Sequence, residues 1–124
     1  MSWRTEPHAP AAGTRLCPLV DIPSDNGLEF VFGDGPARFR MVLFRLPDGA
    51  PRAYLNVCPH QGIPYNFGAD VFCVYDLEER RDLVCVHHAA LFHLDDGRCY
   101  EGPCTGQSLA PVDIRIVDDW VEIG

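Results

Sequence analysis

Two short pairs of residues in this chain could do chemistry. One is Cys58-Pro59-His60 and the other is Cys85-Val86-His87-His88. Each couples a soft thiolate with an imidazole, separated by one or two residues, and a chain that reverses beside each pair can aim all four side chains at a common centre. Two Cys and two His suit a structural zinc ion. They equally suit a two-iron sulfur cluster whose irons carry Cys on one side and His on the other.

The flanks of the pairs narrow this choice. Gln61-Gly62 follows the first pair, while Ala89, Ala90, Leu91 and Phe92 follow the second, ahead of a turn at Asp95-Asp96-Gly97. Gly102-Pro103-Cys104 comes next. In this order the series resembles the Rieske [2Fe-2S] family, whose ligand signature is C-x-H followed by C-x-x-H, with a proline loop covering the cluster. The resemblance implies that Cys58, His60, Cys85 and His88 are at once the metal ligands and the cofactor-binding residues. It places both cysteines on one iron and both histidines on the other. His87, beside His88, leaves a question of register, which the two-residue spacing decides for His88. Val86 and Ala89 depart from the family, which often has Pro and usually has Gly there, and both changes are expected to crowd the second loop. Zinc remains the rival metal, but it has no need of the Gly, Phe and Gly-Pro flanks.

The resemblance also bears on reduction potential. Replacing two thiolates with neutral imidazoles makes a site less negative, so such centres lie at about −150 to +300 mV, above all-thiolate ferredoxins. High-potential members tie the two loops with a disulfide, and the corresponding positions here are Ile63 and His87. With no such bond, and with Ala89 and Ala90 offering no hydroxyl donors, a low-potential centre is expected.

Scaffold elements must hold these pairs, and the rest of the chain supplies them. The 124 residues suffice for one domain. Residues 1–13, with Pro7, Pro10 and three alanines, read as a loose N-terminal arm, leaving 14–124 as the domain and about 58–104 as its cluster-binding part. Apolar and polar residues alternate with period two at 28–32 and 39–46 about Gly33-Asp34-Gly35-Pro36, which predicts a hairpin. Strands are also expected at 16–20, 52–57, 72–75, 83–86, 92–94, 98–100, 112–117 and 120–123. The run DLEERRD at 76–82 reads as a charged, solvated connection. Among the remaining groups, Cys17 and Cys73 read as core, Cys104 as a small buried thiol and His93 as a surface residue. No helical pattern of ten residues is present. The fold class is therefore all-β, a set of small antiparallel sheets forming a partly open barrel or sandwich.

Charge and composition exclude several functions. A net charge of −8 disfavours nucleic acid and anionic membrane surfaces and favours a partner with a basic docking face. No apolar run is long enough to span a bilayer, and residues 1–16 lack the apolar core of a secretory signal, so a cytoplasmic setting is expected. In that reducing setting six cysteines point to metal binding rather than a disulfide scaffold. The expected function is that of a soluble electron carrier between a reductase and an oxygenase or similar acceptor. An accessory subunit of the nitrite-reductase small-subunit type and a zinc-stapled β module are the alternatives. At 124 residues, ring hydroxylation by a second, iron-bearing domain is not expected within this chain.

Overall fold

The structure is a computed structural model that describes residues 3–24, 26–56, 74–76, 81–85, 90–102 and 107–124. Among these, ten strands form three antiparallel sheets. The first sheet joins β1 (Arg15–Pro18), β10 (Trp120–Ile123) and β9 (Ile114–Val117), in that order. The second is a meander of β2 (Leu28–Phe32), β3 (Phe39–Arg45) and β4 (Pro51–Leu55). The third orders β5 (Val74–Asp76), β6 (Arg81–Cys85), β7 (Ala90–His93) and β8 (Cys99–Glu101). Apart from two 3-10 turns, at Trp3–Thr5 and Leu19–Asp21, the described chain has no helix.

β3 explains how three small sheets make one body. Its sequence, FRMVLFR, is apolar through the middle, as expected of a strand buried on both faces. Phe39, Met41 and Leu43 pack with Cys17, Ile22, Val121 and Ile123 in a core against the first sheet. Val42 and Phe44, with Leu46 beyond the strand, pack with Leu83, Ala90, Phe92, Leu94 and Leu109 in a second core against the third sheet. The alternation of side chains along one strand thus feeds both cores.

Further bonds lock the layers. The Tyr54 hydroxyl donates to the Leu94 carbonyl at 2.6 Å, joining the second sheet to the third. Residues 107–112 cross between the same two sheets. The Cys99 amide donates to Gln107 O at 2.9 Å, and the Val112 amide donates to Ala53 O at 2.9 Å. These bonds occupy backbone groups on the edges of β8 and β4 that would otherwise invite another strand.

Two expectations are corrected here. The arm at 1–13 is not loose from Trp3 onward. Trp3 is only 6% exposed and meets Phe39 with ring centroids 6.0 Å apart. Arg4 donates to Asp113 at 3.1 Å and to the Gly124 carbonyl at 2.9 Å, and the Gly13 amide reaches Ile123 O at 2.8 Å. An indole buried at the edge of an apolar core outweighs the local preference of a Pro- and Ala-rich segment for disorder. The charged connection at 76–82 is also shorter than its composition implies. Asp76 ends β5, β6 begins at Arg81, and Asp82 is fully buried. Residues 77–80 lie outside the described residues.

Candidate metal centre

The first candidate pair follows directly from β4. Asn56, two residues before Cys58, is fully buried. Its amide donates to the Arg40 carbonyl at 3.0 Å, and its side chain donates to Glu29 Oε2. Arg40 grips both oxygens of the same carboxylate, at 2.8 and 3.1 Å. A bidentate guanidinium–carboxylate pair is geometrically specific, so this network fixes where the strand leaves the second sheet. Cys58 and His60 themselves lie outside the described residues, as do Gln61, Gly62, Ile63 and Cys73.

The second pair belongs to the β6–β7 hairpin. Cys85 is the last residue of β6 and pairs with Ala90, the first residue of β7. His87 and His88 fall among the four residues joining them, outside the described residues. The structure thus brackets this pair by its two strand ends. Gly102 packs against the same strand end: it has φ of +104°, and a Cβ there would come within 2.7 Å of Ala90 Cα. Only glycine meets both conditions without strain. Gly102, the first residue after β8, therefore lies directly beside the start of β7. Pro103 and Cys104 lie outside the described residues.

Behind the hairpin sits a polar cluster that the sequence reading missed. Asp82 Oδ1 lies 3.0 Å from His93 Nδ1, and Asp82 Oδ2 accepts a 2.6 Å hydrogen bond from the Tyr100 hydroxyl. The His93 and Tyr100 rings stack with centroids 4.1 Å apart and planes 13° from parallel. His93 is therefore a bonded and largely covered residue, its side chain 18% exposed, rather than a surface one. The signal was available. Extending the hairpin outward from Cys85 and Ala90, one residue on each strand at a time, sets Asp82 opposite His93.

Cys17 and Cys99 are both buried. Burial pushes the Cys17 thiol above its ordinary range, helped by the nearby negative charge of Asp21. Cys99 donates to the Glu101 carbonyl at 3.3 Å. Among the described residues no group of three or more His, Cys, Asp or Glu side chains is placed to hold a metal ion. None of the described helices is long and apolar enough to cross a membrane.

Comparison with known proteins agrees with this architecture. The sequence model of the Rieske [2Fe-2S] domain matches residues 14–118. The chain belongs to the Rieske [2Fe-2S] domain family. Among solved structures it is similar to a putative NADH-dependent nitrite reductase small subunit from Mycobacterium tuberculosis, at 26% identity and TM-score 0.62, over 89% of this chain and 91% of that one. It is also similar to the ferredoxin of carbazole 1,9a-dioxygenase from Nocardioides aromaticivorans IC177, at 18% identity and TM-score 0.67, over 92% and 98% of the two chains. A ferredoxin from Sphingomonas yanoikuyae B1 aligns at 17% identity and TM-score 0.60, over 90% and 96%. No curated protein is matched by sequence.

The family implies a [2Fe-2S] cluster, and the donor types of this chain fit one. Two thiols and two imidazoles, in C-x-H and C-x-x-H order, match a cluster with one thiolate-bound and one imidazole-bound iron.

Proposed function

We propose that this protein is a one-electron carrier of the Rieske ferredoxin type. Cys58 and Cys85 hold one iron as thiolates, and His60 and His88 hold the other as neutral imidazoles. The observation that carries this reading is the family match over 14–118 in a chain that retains all four donor positions. A bound cluster of this kind supplies reversible one-electron chemistry at a potential above all-thiolate centres.

The protein's own residues supply position. The Glu29–Arg40–Asn56 network holds the strand end before Cys58, and the Cys85–Ala90 pairing holds the hairpin that contains His88. The net charge of −8 favours a partner with a basic docking face, whose encounter is steered over a Debye length of about 8 Å at physiological salt. A reductase as donor and an oxygenase or similar protein as acceptor complete the scheme, in a cytoplasmic setting.

A second reading is an accessory subunit of a larger oxidoreductase. It is favoured by the 26% identity to the nitrite reductase small subunit. Both readings keep the cluster but differ in the company it keeps.

Stoichiometric reduction of the purified, cluster-loaded protein tests the proposal. Dithionite titration should bleach the visible absorbance reversibly, with one electron taken up per chain. A protein that loads iron and sulfide but takes up no electron would exclude the carrier. Recovery only in a fixed-ratio complex with a larger oxidoreductase would favour the subunit reading.

A further inference from the structure

The outer strand of a sheet offers unpaired backbone groups to any extended chain, and the edges of these sheets are guarded unequally. β1 carries a bulge between Arg15 and Cys17 and ends in Pro18. β4 and β8 are covered by residues 107–112. On β2, Val31 alone is exposed. β9, the outer strand of the first sheet, lacks such guards. It contains neither Pro nor Lys, and it pairs with β10 residue for residue without a bulge.

The register decides which groups are on offer. The Gly124 amide donates to Asp113 O at 2.9 Å, and bonded positions alternate in an antiparallel pair, so residues 113, 115 and 117 face β10. Ile114 and Ile116 therefore turn their amides and carbonyls outward, and no described residue bonds them. The side chains of Ile116 and Val117 are exposed as well, at 48% and 37%. A cleft of about 620 Å³ opens beside this edge, lined by residues 114–116 together with Pro51, Arg52, Asp95 and Asp96.

Charge selects the occupant. Asp95 and Asp96 on the cleft, and Asp118 and Asp119 at the end of β9, are exposed and have no ion pair among the described residues. Arg115 is held by Glu122 at 3.3 Å, and Asp113 by Arg4 at 3.1 Å. That leaves Arg52 as the one cation lining the cleft, and it donates to the carbonyls of Asp95 and Pro51. A second copy of this chain would bring an acidic surface against itself, whereas a cationic strand is drawn to it.

We propose that β9 is a docking edge for an extended segment of a partner protein, one that alternates apolar and basic residues and adds a fourth strand to the first sheet. The backbone of that segment takes the outward groups of Ile114 and Ile116. One of its apolar side chains covers Ile116, and its basic ones meet the aspartates. The docking uses none of the candidate metal ligands, so it is independent of the electron-carrier reading.

Amide hydrogen exchange of the full-length protein, read residue by residue by NMR, tests this with the peptide acetyl-Lys-Val-Lys-Val-Lys-amide as probe. The peptide should slow exchange at Ile114 and Ile116 and leave Arg115 and Val117, already bonded to β10, unchanged. Added salt should weaken the effect. The peptide acetyl-Lys-Pro-Lys-Pro-Lys-amide carries the same charge but lacks strand donors, and should slow neither amide. Ile116→Pro removes one outward amide where β10 needs none, so the fold should survive while affinity for the probe falls about fivefold or more. Should that variant fail to fold, Ile116→Lys, a change at an exposed side chain, should weaken the probe by repulsion of like charge. No slowing at Ile114 and Ile116, equal slowing by the proline peptide, or wild-type affinity in the folded variant would each overturn the inference. Protection of the same amides that grows with protein concentration, without any probe, would make the edge an interface between copies and overturn the basic partner.

Discussion

At the scale of single residues, the proposed ligands make the sharpest demands. Cys58→Ser, His60→Ala, Cys85→Ser and His88→Ala should each abolish the visible chromophore and the bound iron and sulfide, while His87→Ala should keep all three. A normal cluster in His88→Ala would move the ligand to His87. Gly102 makes a different kind of demand. Its φ of +104° and its approach to Ala90 leave no room for a methyl group. Gly102→Ala should therefore destabilise the domain by about 1–3 kcal/mol and lower cluster retention, as read by denaturant unfolding and iron content. Unaltered stability would show that β8 and β7 can part without loss. The candidate donors and their order stand out in the sequence because Cys and His are rare and their spacing is short-range. The pairing of Asp82 with His93 could have been read from the hairpin register, whereas the reach of Tyr100 to Asp82 could not, because it depends on a bulge that a single strand does not record.

At the scale of elements, the sequence placed all ten strands within a few residues, β5 included, and Arg81 and Asp82 were the principal loss from β6. A charged run dominates composition locally, yet pairing with β7 decides the structure. The N-terminal arm was misread for the same reason. Nothing near Trp3 in the sequence signals burial, and its partner Phe39 is distant along the chain. Trp3→Ala should cost about 3 kcal/mol by denaturant unfolding, the low end for emptying an aromatic site in a core. Deleting residues 1–13 should cost at least as much, since the bonds of Arg4 and Gly13 are lost with it. A truncated chain of wild-type stability would return the arm to the loose state its composition suggests.

At the scale of the whole molecule, the double burial of β3 makes the three sheets one cooperative body, so ionisation in one layer is felt as global stability. Burial raises the Cys17 thiol, and raises the Tyr54 phenol more strongly against the opposing pull of Arg52. In the unfolded chain these groups release protons near their ordinary values, about 8.5 and 10. The folded chain still holds them above those values, so the unfolded state binds fewer protons and stability falls as pH rises. The contribution is complete below about pH 8.5 and is lost first through Cys17 and then through Tyr54. Chemical denaturation of the wild type should show a falling midpoint between pH 8 and pH 10, and Cys17→Ala should flatten the first part of the fall. Equal slopes in the two proteins would contradict the assignment to Cys17. The sequence placed Cys17 in the core, but the layer that buries it is a property of three sheets assembled together.

The central claim is that two Cys–His pairs hold a mixed-ligand two-iron centre. EPR of the anaerobically purified, dithionite-reduced protein tests it most directly, with iron and acid-labile sulfide assayed on the same sample. The account predicts two irons, two sulfides and a rhombic signal with the low average g of a cluster whose irons carry cysteine on one side and histidine on the other. Zinc in place of iron, with no signal after attempted cluster reconstitution, would contradict it and leave a metal-stapled β domain.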